Sequence, residues 1–177
     1  MRYGTRSHSA RYWTPAGVRP SGSMNIGYEY SYLYTALCPA TGDLFALMLP
    51  SMQAECFKIF LERFSQHLQQ RYRGDTTQSS AAVRLVLDNA GAHHADLLAQ
   101  NSTVTLEFLP AYSPELNPVE RFFQEVRRAT KTQVFETLEQ IEQLLVKTLH
   151  RYWDNPQAIV QLTYWDWMLP MPKHNYS

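Results

Sequence analysis

The stretch that most limits what this chain can fold into is Val83-Arg-Leu-Val-Leu87, closed by Asp88-Asn89-Ala-Gly. The run is too short for a buried helix, and small or polar residues bound it. It reads as a strand covered on both faces. Open α/β sheets bind ligands beyond the carboxyl ends of their strands, and Asp88 stands at such an end. The small residues after it let a ligand approach the backbone closely. Taken alone, Asp88-Asn89 also reads as a turn pair that caps its own backbone.

The rest of the chain supplies neighbours for that strand. Met1 to Thr5 reads as a strand, and residues 1–23 then continue as an irregular arm punctuated by Pro15, Gly17 and Pro20. Tyr28 to Cys38 is rich in Tyr, Leu and Thr, Pro39-Ala-Thr-Gly42 is a turn, and Asp43 to Leu49 is a second strand. Together they predict a hairpin. From Ala54 to Tyr72 the period changes. Phe57, Phe60, Leu61, Phe64 and Leu68 recur at three and four, the stripe of an amphipathic helix. A polar connection covers residues 73–82. A short helix is expected at His94 to Gln100 and a strand at Val104 to Leu109. Pro118 to Thr130 and Thr137 to Tyr152 read as helices. The first turns Val119, Phe122, Phe123 and Val126 inward, and the second Leu138, Ile141, Leu145, Leu149 and Tyr152. The tail from Asn155 is expected to be loose towards its end. Hairpin strands followed by strands reached through helices predict an α/β fold with a mixed five-stranded sheet flanked by helices. One domain is expected over residues 1–169, with a loose tail at 170–177.

Composition narrows the class further. A chain of 177 residues that is 45% hydrophobic and 13% aromatic can bury one ordinary core. No apolar run reaches the roughly 18 to 20 residues that span a bilayer, so no membrane partner is expected. Two cysteines are too few for a disulfide framework, which makes a reducing cytoplasm the default. Sixteen basic residues balance sixteen acidic ones, but unevenly. Arg2, Arg6, Arg11 and Arg19 precede the first acid, Glu29, while Arg121, Arg127, Arg128 and Lys131 share one later segment. An arm carrying Trp13 with Arg11 and Arg19 could lie along a nucleic-acid backbone; equally, Trp13 could cap the core.

Glu120 is the second acid of interest. Asn117 suits the N-cap of the helix it opens, Pro118 its first position, and Glu120 the third. That is the capping-box pattern, which gives the glutamate a structural role of its own. The functional alternative is a carboxylate that meets Asp88. Oxygen donors of this kind suit Mg²⁺ or Mn²⁺. His93 and His94 follow Asp88 closely, and at most one of them can share its site, where it would position a phosphate or an attacking water.

Together, Leu85-Val-Leu-Asp-Asn-Ala-Gly-Ala-His-His94 and Leu106-Glu-Phe-Leu-Pro-Ala-Tyr-Ser-Pro-Glu-Leu-Asn-Pro-Val-Glu-Arg-Phe-Phe123 resemble the catalytic core of mariner-like insertion-sequence transposases, the DDE superfamily of endonucleases. The family's second acid falls on Asp88, with Asn89 and His93 in its context, and its third on Glu120, with Asn117 in the motif before it. Arg11 to Pro20 is similar to the segment after the family's first strand. The resemblance implies a ribonuclease-H-like fold and metal-dependent DNA strand cleavage and transfer. It also implies Mg²⁺ or Mn²⁺ as cofactor, transposon ends and target DNA as partners, and a homodimer on bacterial DNA. In relatives the first acid stands in an Asp-Glu pair directly before the segment that reads Met1-Arg-Tyr-Gly in this chain, and helix-turn-helix domains lie further upstream. The expectation is a chain that starts after both and is inactive alone. The alternative is a non-catalytic remnant that binds DNA or dimerises, in which Arg127, Arg128 and Lys131 matter more than Asp88.

Overall fold

The computed structural model describes residues 1–6, 15–18, 25–71, 83–88, 104–131 and 133–165. The elements run β1 (Arg2–Arg6), β2 (Ile26–Leu37), β3 (Leu44–Leu49), α1 (Ala54–Arg71), β4 (Val83–Leu87), β5 (Val104–Phe108), α2 (Pro118–Thr130), α3 (Leu138–Trp153) and α4 (Pro156–Thr163). The expected strands and the first three helices are all present, with ends shifted by two residues at most. The expected short helix at residues 94–100, the connection at 73–82 and the tail at 170–177 lie outside the described residues.

The antiparallel β2–β3 hairpin closes through Gly42, whose φ of 75° suits a residue without a Cβ. Its amide donates to the Cys38 carbonyl at 2.8 Å, and the Cys38 amide donates to the Asp43 carbonyl at 2.9 Å. β1 joins β2 antiparallel in the order β1-β2-β3, with an irregular register between Gly4 and Arg6. β4 and β5 form a separate parallel pair, Val83 opposite Val104 through Leu87 opposite Phe108. A single five-stranded hydrogen-bonded sheet is therefore not what the described strands make. They form a three-stranded and a two-stranded ladder.

Alternation of side chains across the strands sends them into two cores. Tyr34 and Ala36 of β2 pack with Phe57, Phe60, Leu61, Phe64 and Leu68 of α1 and with Val104 of β5. Val83, Leu85, Leu87 and Leu106 are partly buried against this cluster. One helix thus covers both ladders. On the opposite face, Tyr3, Leu33 and Leu44 meet Phe122, Phe123 and Val126 of α2, Ile141, Leu145 and Leu149 of α3, and Ile159 of α4. The cover stops short of β4. Arg84 and Val86 are exposed, so β4 is buried on one face only and not on both. The alternate residues Val83, Leu85 and Leu87 meet α1, while Arg84 pairs with Glu107 across the strands at 3.6 Å.

α4 is an element that the sequence reading left inside a loose tail. It packs Ile159, wholly buried, into the second core. Its start touches the hairpin turn, since a Cβ on Gly42 would lie 2.1 Å from the Pro156 carbonyl oxygen.

Candidate metal centre

Asp88 follows the last residue of β4 and is exposed. The ladder continues one step past it on the neighbouring strand, because the Leu109 amide donates to the Leu87 carbonyl at 2.8 Å. By the period of β4, Asp88 falls on the face of Arg84 and Val86, opposite to α1. That is the face along which α2 and α3 lie on the neighbouring ladder.

Glu120 enters from α2. Asn117 caps this helix in extended conformation, and its side chain accepts from the Val119 amide at 3.2 Å, with Pro118 next in line. The Glu120 amide donates to the Asn117 carbonyl at 3.1 Å. The glutamate side chain does not complete a capping box. It faces Arg127, two turns along the same helix, at 3.8 Å. The Arg127 guanidinium in turn lies 6.0 Å from the centre of the Phe123 ring. So Asn117 caps the helix without help from Glu120, whose carboxylate is half-exposed.

Both acids act on one point. The Met1 amino group donates to the Leu33 carbonyl at 2.7 Å. Its pKa falls from 8.0 to about 6, chiefly because it is buried and next because of Arg127, while Glu120 and Asp88 pull the other way. At neutral pH this amine is therefore mostly uncharged, and Arg127 is the standing cation beside Glu120. Glu120 and Asp88 thus both lie within electrostatic reach of the Met1 amino group.

The remaining candidates fall into three groups. Arg128 pairs with Glu125 at 2.7 Å, and Lys131 is exposed at the end of α2. Arg127 belongs to the site itself. Asn89, His93, Arg11, Trp13 and Arg19 lie outside the described residues.

Residues 1–142 match the DDE superfamily endonuclease family. The chain belongs to that family. An uncharacterized protein of Sinorhizobium fredii, y4pE/y4sA, is 30% identical over 139 residues, 78% of this chain and 96% of that protein. Among solved structures, the Mos1 transposase paired-end complex with left transposon end is similar with a TM-score of 0.64 at 18% identity, over 91% of this chain and 50% of that one. The mariner Mos1 paired end complex with Mg gives a TM-score of 0.58 at 23% identity, over 88% and 48%. The chain spans about half the length of the Mos1 chains it matches, and it shares their fold.

The donor set of this DDE superfamily endonuclease can be tested against a metal on its chemistry. Asp88 and Glu120 offer carboxylate oxygens on the accessible rim, the ligand type that hard divalent ions take. Among the described residues no three His, Cys, Asp or Glu side chains come together. Two carboxylates are the donor type for a hard cation, and a clamp on two ions takes a further acid.

The sequence reading took Tyr112 only as part of the motif before Glu120, and it did not anticipate the pairing of Glu120 with Arg127. The spacing of 120 and 127 on one helix was visible and places them on one face. The backbone of Tyr112, in the left-handed region at φ 60°, had no such signal.

Proposed function

We propose that this chain is the catalytic part of a mariner-like DNA transposase, in which Asp88 and Glu120 together hold Mg²⁺ or Mn²⁺. The observation that carries the reading is placement: Asp88 follows β4 on the face away from α1, and Glu120 lies in the first turn of α2, which packs on that side of the neighbouring ladder, in a chain of the DDE superfamily endonucleases. The substrate would be DNA, at transposon ends and at a target, handled by a homodimer in the bacterial cytoplasm. The two ladders would serve as one ribonuclease-H-like platform of five strands, joined beneath α1, within a single domain over residues 1–169.

A divalent ion held by Asp88 and Glu120 would supply Lewis-acid chemistry towards a phosphodiester. The protein's part is to present the two carboxylates from rigid elements. β4 fixes Asp88, and the Asn117 cap fixes the first turn of α2 with Glu120. Arg127 holds the Glu120 carboxylate while no cation is bound. His93 and Asn89 would support the substrate beside Asp88. Arg11, Trp13, Arg19, Arg128 and Lys131 would follow the DNA backbone.

Two acids do not bridge two ions. Among the described residues no third carboxylate joins this pair, and on that ground the chain by itself is expected to cleave or join DNA slowly. The reading in which it only binds DNA or dimerises leans on the basic end of α2. There Arg127 and Arg128 each already face an acid, Glu120 and Glu125, which lowers what two of the three cations add to DNA binding.

The deciding measurement is Mn²⁺ binding followed by electron paramagnetic resonance. The chain should bind one ion, and Asp88→Asn or Glu120→Gln should weaken it at least tenfold with the fold intact by circular dichroism. Equal binding by both variants would remove the proposed site. Robust Mg²⁺-dependent cleavage of transposon-end DNA that is lost with Asp88→Asn would overturn the expected inactivity.

A further inference from the structure

The loop between β5 and α2 starts and ends beside the two carboxylates. Leu109 is bonded to Leu87, next to Asp88, and Asn117 caps the helix that carries Glu120. Midway, Tyr112 is 100% exposed and sits at φ 60°. A left-handed backbone is unfavourable for a residue with a bulky side chain. The ring gains no burial that would offset this. The loop holds the conformation through its own bonds, Ser113 Oγ to the Ala111 carbonyl at 3.4 Å and the Leu116 amide to the Ser113 carbonyl at 3.1 Å. Pro110 stiffens it further. Strain kept by surrounding structure, with an aromatic ring projected into solvent, points to a ligand contact.

The surroundings narrow the ligand. In the same loop Pro110, Ala111 and Glu115 are exposed, and Ser113 is half-buried. This is one aromatic face in a small and polar setting, not an apolar patch that would seat a protein. A single flat apolar group is what the ring can take, and the site next to it is read as handling DNA. We propose that Tyr112 stacks on an unpaired nucleobase of the DNA strand end held near Asp88 and Glu120. The proposal rests on the functional reading above. Aromatic stacking of this kind tolerates any base, because every base has a π face. Tyr112 would thus favour strand ends that are unpaired, without reading their sequence.

The test compares two fluorescein-labelled duplexes by anisotropy at one fixed salt concentration. One is blunt and the other carries a three-nucleotide unpaired 3′ end. The unchanged chain should bind the unpaired end more tightly. Tyr112→Ala should weaken that binding about tenfold and change blunt-end binding less than twofold, while Tyr112→Phe and Tyr112→Trp keep it. A 2-aminopurine in the overhang should be quenched by the unchanged chain and not by Tyr112→Ala. Equal loss for both duplexes, no loss, or a loss with Tyr112→Phe as large as with Tyr112→Ala would overturn the proposal. So would a failure of the unchanged chain to prefer the overhang. Tyr112→Gly relieves the backbone and should unfold at the same temperature or higher. A clear drop would mean that the ring holds the loop, which also overturns it. Mn²⁺ binding should be the same in every Tyr112 variant, so loss of the metal reading and loss of the stacking reading are separate results.

Discussion

The two ladders of this fold are covered differently. β2 and β3 lie between α1 on one face and α2, α3 and α4 on the other, and β1 joins the second core through Tyr3. Among the described residues, β4 and β5 pack on α1, with Val86 at 45% exposure on the outer face and an exposed Arg84–Glu107 pair beside it. The first ladder is where burial stabilises the chain. The second ends in the exposed Asp88 and leads into the loop with Tyr112. Chemistry needs open rim and polar groups near one another, and packing removes both. A fold that keeps one ladder thinly covered can therefore carry a site without weakening its main core.

That contrast breaks most severely at Phe122. The ring is wholly buried between the three-stranded ladder and α3, edge-on to Tyr152 with centroids 5.1 Å apart. Phe122→Ala should lower stability by about 3–5 kcal/mol, measured by urea unfolding. Val86→Ala on the outer face of β4 should cost less than about 0.5 kcal/mol. Comparable losses at the two positions would mean that the outer face of β4 is packed as tightly as the core.

Gly42 comes next. A methyl group there would strike the Pro156 carbonyl, and the positive φ disfavours any side chain. Gly42→Ala should cost about 1–3 kcal/mol. The loss should be shared by the hairpin and α4, seen as faster amide exchange in both. Exchange raised in the hairpin alone would show that the turn does not hold α4.

Asn117 sharpens the comparison at the site itself. Its side chain satisfies the Val119 amide, and Glu120 takes no part in that cap. Asn117→Ala should cost about 1 kcal/mol and weaken Mn²⁺ binding modestly through a frayed first turn. Glu120→Gln should leave unfolding almost unchanged and weaken the metal much more. If Glu120→Gln is the more destabilising of the two, the glutamate is a structural capping residue after all.

Most of the fold could be read from the pattern of apolar residues, and the reasons for the exceptions are physical. The stripe Phe57 to Leu68 announced α1, and the Asn117-Pro118 signature announced α2. The same signature, Asn155-Pro156, opens α4, but the helix spans only eight residues and the Trp-rich, Pro-rich segment after it hides the period. For β4, Arg84 in the run already argued against burial on both faces. A residue count cannot say how far α2 to α4 extend over the strands, since that depends on tertiary packing. For the site, Asp88 and Glu120 were legible as types at suggestive positions. Their action on a common point was not, because it depends on where β1 begins in space. The backbone of Tyr112 was not legible either, since the left-handed conformation is imposed by the loop and is not a preference of tyrosine.

The smallest expected effect lies on the well-covered side, at the outer edge of α1. His67 packs against the Phe45 ring with centroids 5.1 Å apart. Burial lowers its pKa below the usual 6.5, Arg71 lowers it further, and Asp43 opposes both. The folded imidazole thus holds its proton less tightly than the unfolded one. On acidification through 6.5 the unfolded chain takes up the proton first, so the contribution is complete above that value and fades below it. The side chain is half-buried and stays in reach of solvent, which limits the effect to about a few tenths of a kcal/mol, the scale of surface electrostatics. The difference in unfolding free energy between the unchanged chain and His67→Gln, followed from pH 7.5 down to pH 5, should shrink as the pH falls. All other titrating groups are common to both proteins and cancel in that difference. A difference that stays flat, or grows with acid, would mean that His67 gains more from Asp43 than it loses by burial. The charged and packed sides of the molecule would then be less separate than the two ladders make them.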